Sequence, residues 1–182
     1  MKELSLNILD IAMNSVKAGA TRIGIDIDET DDKLDITIRD DGCGMDAETV
    51  RRLSDPFFTT RTTRRVGLGV PFYTLAAQQT GGDVQIHSVP APAPDHGTTV
   101  RAVFIKTHID FTPLGDIIST LTTLIHGYPN IDLEFRHKTG GTEITLSTSQ
   151  IRAMLGDDIP INSLEILDWI RDYLSEQYAN RS

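Results

Sequence analysis

The stretch Asp40-Asp41-Gly42-Cys43-Gly44-Met45 joins an alternating apolar segment, residues 33–39, to a helix-like segment, residues 46–53. A buried strand that ends in paired acids and two glycines lets the backbone approach a flat ligand and holds a carboxylate at its edge. Taken alone, an acid-acid-glycine cluster more often closes an ordinary turn. The segments before and after this stretch therefore have to distinguish a turn from a binding loop.

The composition predicts a soluble, cytoplasmic protein with a full hydrophobic core. The chain has 182 residues, 39% of them hydrophobic, which is enough for one large domain or for a main domain with a small appendix. The single cysteine, Cys43, excludes an internal disulfide and a thiolate-rich zinc site. The sequence shows no signal peptide and no apolar run of about 18 residues. The net charge of −9 argues against nucleic acid or an anionic membrane as the main partner.

Residues 4–18 predict an amphipathic helix that ends at Gly19. Its polar side places Asp10 and Asn14 one turn apart, one above the other. A polar stripe ordinarily faces water, so this carboxylate and amide gain a function only if a phosphate site lies beside them. The expected apolar face consists of Leu6, Leu9, Ala12, Met13 and Val16, and the expected polar stripe of Glu3, Asn7, Asp10, Asn14 and Lys17.

Two alternating segments, residues 21–28 and 34–38, are separated by Asp31-Asp32 and predict an antiparallel hairpin with one buried face. The preceding helix is the natural cover for that face. This arrangement brings the polar stripe close to the end of the second strand, where Asp40 emerges. Two more strands are predicted at residues 84–88 and 98–105.

A segment with little periodicity lies between the hairpin and the strand predicted at residues 84–88. Residues 55–66 combine a proline, two phenylalanines, threonines and three arginines, and we expect a mobile loop whose arginines suit an anionic ligand. Gly67-Leu68-Gly69 then opens a helix over residues 72–79. Glycines at a helix start present backbone N–H groups to an anion in the positive field of the helix dipole.

Residues 107–182 form a more acidic region. They hold eleven acids and five bases, whereas residues 1–106 hold fifteen acids and twelve bases. A helix beginning near Thr112, two short strands and two further helices predict a small α/β appendix to a first domain of residues 1–106. We find no catalytic motif in this region and expect it to bind a protein partner. The strands are expected at residues 131–136 and 142–146, and the last two helices at residues 149–155 and 160–178.

Four motifs therefore follow one another: an acid and an amide four apart on a helix, Asp-x-Gly-x-Gly after a strand, a Phe-Phe-Thr-Thr-Arg loop, and Gly-x-Gly at a helix start. In this order and spacing they resemble the ATP-binding domains of the gyrase, heat-shock chaperone, histidine kinase and mismatch-repair (GHKL) superfamily over residues 4–105. Residues 10–23 are similar to the mismatch-repair version, and residues 55–61 and 66–69 to the histidine-kinase version. The resemblance implies an α+β fold of the Bergerat type, a two-layer sandwich with a mixed, mostly antiparallel sheet covered by helices.

The resemblance also implies which residues hold the adenine. Asp40 would accept a hydrogen bond from the adenine amino group. Gly42 and Gly44 would let the base lie against the backbone. Thr98 matches a threonine that helps to hold adenine through water. Asp41 matches no direct ligand, and we expect it to brace the loop.

For the phosphates, the resemblance implies that Asn14 donates its side-chain oxygen to Mg²⁺, a hard cation that prefers oxygen ligands. Gly67, Leu68 and Gly69 would offer N–H groups to the phosphates. Arg61 is a further expected phosphate contact. The expected cofactors are thus ATP and Mg²⁺.

In members that hydrolyse ATP, the residue four before the magnesium asparagine is usually a glutamate that orients and deprotonates water. This chain has the shorter aspartate, Asp10. Loss of one methylene moves the carboxylate by about 1.5 Å, enough to weaken catalysis or to relay it through a second water. Many histidine kinases carry an amide at this position, so the carboxylate favours hydrolysis or activation of a hydroxyl. We therefore assign Asp10 as the catalytic base.

These roles predict an ATP-binding protein with slow, Mg²⁺-dependent hydrolysis, in which nucleotide orders the lid and changes how residues 107–182 meet a protein partner. Two alternatives stay open: a protein kinase acting in trans, similar to the anti-sigma-factor serine kinases or to a split histidine kinase, and an ATP sensor without turnover. The sequence does not predict the oligomeric state.

Two functions within the superfamily are disfavoured. The chain begins at the nucleotide helix and its histidines are scattered, so we do not expect the paired helices and phosphoacceptor of an ordinary histidine kinase. Mismatch-repair proteins and topoisomerases have a longer lid, a transducer domain and basic surfaces for DNA, which an acidic chain does not supply. The chain is most similar to small, stand-alone bacterial members.

Overall fold

The computed structural model describes residues 3–54 and 69–180. The strands and helices expected in these ranges are present, with bounds that differ by a few residues. None of the helices in these ranges is both long and apolar enough to cross a membrane. The elements are α1 Leu4–Lys17, β1 Arg22–Glu29, β2 Lys33–Asp40, α2 Ala47–Ser54, α3 Gly69–Gln79, β3 Asp83–Val89, β4 Gly97–Ile105, α4 Ile117–Gly127, β5 Asp132–Thr139, β6 Thr142–Ser147, α5 Thr148–Leu155 and α6 Leu164–Ala179.

The six strands form one mixed sheet in the order β3-β4-β2-β1-β5-β6. Neighbouring strands are antiparallel except β1 and β5, which run parallel. Helices cover one face, and the other face carries polar and charged side chains such as Asp26, Arg39 and Arg101. This two-layer arrangement confirms the predicted α+β fold with a mixed, mostly antiparallel sheet.

The core lies between the sheet and its helices. Ile25 and Ile27 of β1 pair with Ile38 and Ile36 of β2 and point to the same face. These side chains are at most 1% exposed, and burying an isoleucine fully stabilises a fold by roughly 1.5–3 kcal/mol. The alternation that predicted the hairpin thus has its cause in one buried face.

The buried face of α1 differs from the predicted one. Leu6, expected on the apolar face, is 45% exposed, whereas Asn7, expected in the polar stripe, is 2% exposed. Apolar residues surround most of this helix, so spacing alone offered two candidate faces. The prediction was wrong for these two residues, whereas Ala12 is buried as expected and Leu9, Met13 and Val16 are partly buried against the core. The face that lies deepest against the sheet contains Leu4, Ile8, Ile11, Ala12 and Ser15.

The C-terminal elements extend the sheet of the first part of the chain. β5 pairs with β1 in parallel along the whole of β1, and β6 then pairs with β5. The N-terminus of α1 also joins this region, since the Leu4 N–H donates to the Pro113 carbonyl at 2.9 Å. α4 begins at Ile117 rather than near Thr112 because Asp116 caps it, accepting the Ser119 N–H at 2.9 Å.

A buried polar cluster links β1 to the last helix. His137 of β5 is fully buried, with its Nε2 3.0 Å from Glu29 Oε2 and its Nδ1 2.8 Å from the Tyr178 hydroxyl. Lys106 Nζ lies 2.8 Å from the other Glu29 oxygen. Buried polar groups of this kind need their partners, so the cluster couples α6 to the first part of the chain.

Candidate functional site

Asp40, the last residue of β2, is held from three directions. Its Oδ1 accepts hydrogen bonds from the Gly42 N–H at 2.9 Å and the Thr98 N–H at 3.2 Å. Its Oδ2 accepts one from the Ser15 hydroxyl at 2.5 Å. These donors come from the following loop, from β4 and from α1, so the carboxylate is fixed where the hairpin, its neighbouring strand and the covering helix meet.

The neighbouring Asp41 points elsewhere. Its Oδ1 accepts the N–H groups of Thr21 and Arg22, both at 2.8 Å, and its Oδ2 accepts the Thr21 hydroxyl at 2.5 Å. Partial burial raises the pKa of Asp41, but the hydrogen bonds from Thr21 and Arg22 outweigh it and hold the pKa below its ordinary value. Asp41 thus ties the end of β2 to the start of β1, as the expectation of a bracing residue requires.

The loop after Asp41 is pinned by its backbone. The Cys43 N–H donates to the Ala18 carbonyl, and the Cys43 carbonyl accepts the Ala91 N–H, both at 2.9 Å. The Gly42 carbonyl lies 2.6 Å from His96 Nδ1, and since a carbonyl only accepts, that nitrogen carries the proton. The loop therefore has a fixed path between the end of α1 and the connection from β3 to β4.

Gly44 occupies a position that requires glycine. Its φ is +66°, and a Cβ built there would lie 1.9 Å from the Val89 carbonyl oxygen. The next residue is also tied to this connection, since the Met45 N–H donates to the Ser88 hydroxyl at 2.8 Å. The Ser88 hydroxyl lies 2.8 Å from the Thr98 hydroxyl, which connects the loop to β4.

Asp10 and Asn14 lie on α1 as the sequence predicts, one turn apart. Asp10 is exposed and Asn14 is half-buried. Gly69, the first residue of α3, lies directly against the side chain of Asp10. A Cβ built at Gly69 would fall 2.9 Å from Asp10 Cβ and 3.6 Å from Asp10 Oδ2. The carboxylate of Asp10 thus sits beside the N-terminus of a helix, where N–H groups favour negative charge.

A cavity of about 270 Å³ opens between these elements, close to the ~300 Å³ at which ligand sites begin. Apolar side chains form much of its wall. Its lining includes Asn14, Asp40, Gly44 and Thr98, four of the residues expected at the site. Three further expected residues are not in this lining: Gly42, which lies against Ala18 and Asp40, and Asp10 and Gly69, which lie against each other. Arg61, Gly67 and Leu68 fall outside the residues that the structure describes.

A known protein family matches this part of the chain. The model of the family described as histidine kinase-, DNA gyrase B- and HSP90-like ATPase matches residues 1–108, more than half of the chain and all the elements around the cavity. The chain belongs to this ATPase family. The resemblance seen in its four motifs is thereby confirmed.

Relatives in this family include sensor kinases. Over 98 residues the chain is 31% identical to the tetrathionate sensor histidine kinase TtrS of Salmonella typhimurium, covering 54% of this chain and 16% of TtrS. Over 93 residues it is 34% identical to the signal transduction histidine-protein kinase AtoS of Escherichia coli, covering 50% of this chain and 15% of AtoS. The chain thus spans about one sixth of the length of these relatives.

A solved structure shares the fold over a longer part of the chain. The ATPase domain of Aquifex aeolicus MutL, solved in complex with ADP, superposes with a TM-score of 0.50 at 12% identity, covering 85% of this chain and 68% of that one. At this identity the likeness concerns the fold. It extends beyond residues 1–108, so it includes part of the C-terminal elements.

Three residues that form hydrogen bonds around Asp40 and the loop after it were not predicted: Ser15, Ser88 and His96. Ser15 follows Asn14 on α1, but the mistaken buried face hid its direction towards Asp40. Ser88 lies near the end of β3 and His96 at the end of the Pro/Ala-rich connection to β4. For these two residues no sequence signal was available, because their role depends on where that connection folds back.

Proposed function

We propose that this chain binds ATP in the cavity beside Asp40. The observation that carries the proposal is the fixed carboxylate: Asp40 Oδ1 is occupied by two backbone N–H groups, while Oδ2 receives a single hydroxyl and retains an acceptor site. An amino group on a flat base satisfies that acceptor. The apolar wall and the side-chain-free surface of Gly44 suit the faces of the base.

The residues on α1 fit a phosphate-bound magnesium ion. Asn14 lines the same cavity as Asp40, and its amide oxygen is a ligand type that Mg²⁺ accepts alongside phosphate oxygens and water. When bound, the ion would neutralise phosphate charge. We further propose that Gly67, Leu68, Gly69 and Arg61 contact the phosphates, in keeping with their motif and with the position of Gly69 at the start of α3.

We propose slow hydrolysis with Asp10 as the base. Its carboxylate lies one turn from Asn14 and beside Gly69, two residues that we propose contact the magnesium ion and the phosphates. The aspartate reaches less far than a glutamate, which supports slow turnover through a water. Nucleotide binding would then change, through residues 55–68, how the C-terminal elements meet a protein partner.

The test compares ATP binding and phosphate release in the parent chain and in two variants. Asp10→Asn should keep ATP affinity and lower turnover by at least about tenfold, whereas Asn14→Ala should lose Mg²⁺-dependent affinity. Asp31→Asn, in the hairpin turn, is the matched control and should match the parent in both. If Asp10→Asn releases phosphate at the parent rate, Asp10 is not the base, and a parent without any turnover favours a sensor.

A protein kinase acting in trans is the second candidate, and the similarity to the sensor kinases TtrS and AtoS favours it. The chemistry at Asp10 would be the same, with a protein side chain in place of water. Incubation with γ-labelled ATP and cell lysate separates the two. Free labelled phosphate supports the ATPase, and a labelled protein band that Asn14→Ala abolishes supports the kinase.

A further inference from the structure

The sheet ends in an unprotected edge at β6. In the described ranges β6 has one neighbour, β5, so alternate N–H and C=O groups along Thr142–Ser147 point away from the sheet. Exposed edges are usually blunted by lysine, proline or a bulge. β6 contains neither lysine nor proline and carries one charged residue, Glu143. Its backbone is therefore available to pair with another strand.

A groove of about 510 Å³ lies at the end of this edge, where Thr145, Leu146 and Ser147 of β6 line it. On the helix face of the sheet its wall is apolar and aromatic, with Met154, Trp169 and Tyr173. Trp169 is 47% exposed and Met154 is 73% exposed, and the rings of Trp169 and Tyr173 stack with centroids 5.6 Å apart. Exposed aromatic platforms of this kind are typical of binding surfaces rather than of a solvated helix.

On the open face of the sheet the wall of this groove is polar. It includes Glu134, Arg136 and Thr145. Arg136 is already engaged by Asp26 and Asp28 and lies 3.8 Å from Glu143, whereas the described contacts of Glu134 are with the hydroxyls of two serines. A strand placed beside β6 would alternate its side chains between these two faces.

The charges around the groove favour a basic occupant. β5, β6, α5 and α6 together hold seven acids and four bases. Glu165, Asp172 and Glu176 lie three or four residues from the aromatic pair on α6, which places them beside it on the helix surface. Arg171 is paired with Asp168. An occupant with positive side chains is therefore favoured over an acidic one.

We propose that the β6 edge binds an extended segment of a partner protein in which apolar and basic residues alternate. The segment adds a strand to the sheet, its apolar side chains contact Trp169, Tyr173 and Met154, and its basic side chains face Glu134 and Glu143. This proposal goes beyond ATP binding and turnover and depends on neither, because the groove and the cavity beside Asp40 share no lining residue.

The experiment uses the full chain and Trp169, the only tryptophan in the sequence, as a fluorescent reporter in the groove. The probe is a blocked synthetic peptide of about ten residues in which valine and lysine alternate, compared with a valine–glutamate peptide of the same pattern. We expect a saturable fluorescence change with the lysine peptide and at least about tenfold weaker binding of the glutamate peptide. Equal affinities would overturn the proposal.

Backbone pairing is tested by N-methylating the lysine peptide at every second residue, in the two possible sets. An added strand pairs along one edge only, so one set should abolish binding and the other should be tolerated. Loss of binding with both sets, or with neither, contradicts strand addition. Glu143→Lys should weaken the lysine peptide by about tenfold, whereas Asp83→Lys, with the same charge change on β3 at the other edge of the sheet, should have no effect.

A second copy of the chain is the competing occupant. If sedimentation shows a dimer that Glu143→Lys dissociates while the lysine peptide fails to bind, β6 pairs with itself and the proposal is overturned. The nucleotide site serves as an independent check: Asn14→Ala should bind the lysine peptide like the parent. If a preparation of the chain binds the lysine peptide but does not bind ATP, the result supports the groove and contradicts the nucleotide proposal. The two proposals can therefore fail separately.

Discussion

The cavity beside Asp40 and the β6 edge expose different chemical groups. The cavity exposes a carboxylate that main-chain N–H groups hold in one direction, whereas the β6 edge exposes main-chain N–H and C=O groups with side chains on either face of the sheet. The Asp40 carboxylate accepts two main-chain N–H groups and a hydroxyl. The β6 main chain faces Trp169 and Tyr173 on one side and Glu134 on the other. In our proposals the first arrangement selects a ligand by one atom, and the second selects a pattern of alternating residues. Variants can test whether the two act independently.

The largest expected effect is at the cavity. Asp40→Asn keeps an oxygen for Gly42 and Thr98 but replaces Oδ2 by an amide donor, which would face the adenine amino group of our proposal with the wrong polarity. We expect a loss of about 2–3 kcal/mol in ATP affinity, or roughly 30- to 140-fold. Titration calorimetry with ATP and Mg²⁺ measures it. Binding of the valine–lysine peptide at β6 should not change.

Tripolyphosphate provides the control for this variant. It contains the phosphate chain without a base, so Asp40→Asn should weaken it far less than ATP. Equal losses for the two ligands would count against adenine recognition by Asp40. Asp31→Asn, which removes an exposed carboxylate from the hairpin turn, should bind both ligands like the parent.

The sequence predicted the cavity better than the groove for a physical reason. The hairpin follows from alternation in β1 and β2. Asp40, Gly44 and Asn14 belong to short motifs in which the residue types themselves indicate a binding site. The groove depends on β5 pairing with β1. That contact joins strands separated by a long connection, and no local pattern encodes its register.

The second prediction concerns Asp41, which lies beside Asp40 but braces the fold. Asp41→Asn should lower the free energy of unfolding by about 1–2 kcal/mol at neutral pH, because it removes the charged acceptor of Thr21 and Arg22. The folded-state pKa of Asp41 is below its unfolded value. Its stabilisation is therefore complete above the unfolded pKa and is lost as pH falls through the folded pKa.

Urea unfolding at several pH values measures this difference. The gap between the parent and Asp41→Asn should be widest near neutral pH and should close progressively below about pH 4. Asp83→Asn, at the exposed start of β3, should show no such gap. A gap that persists unchanged at low pH would mean that the carboxylate charge of Asp41 does not stabilise the fold.

The third prediction concerns the contacts that join residues 107–182 to the first part of the chain. Tyr178→Phe removes the hydroxyl beside the buried His137 and should lower the free energy of unfolding by about 1–1.5 kcal/mol. Because β5 pairs with β1 along its length, we expect Trp169 fluorescence and far-ultraviolet circular dichroism to report one coincident transition. Separate transitions would show that residues 107–182 unfold as an independent unit.

The smallest effect is expected at Ser15, and it tests how tightly the cavity is fixed. The Ser15 hydroxyl does not contact the base in our proposal; it orients Asp40 Oδ2 from α1 at 2.5 Å. Ser15→Ala leaves the two backbone N–H donors of Asp40 in place, so we expect only about 0.5–1 kcal/mol, or roughly two- to fivefold, in ATP affinity. Ser175→Ala is the matched control, since its hydroxyl donates to a helix carbonyl on α6. Combined with Asp40→Asn, Ser15→Ala should add almost nothing, because the oxygen that it orients is gone. Full additivity of the two losses would instead place Ser15 in contact with the ligand itself.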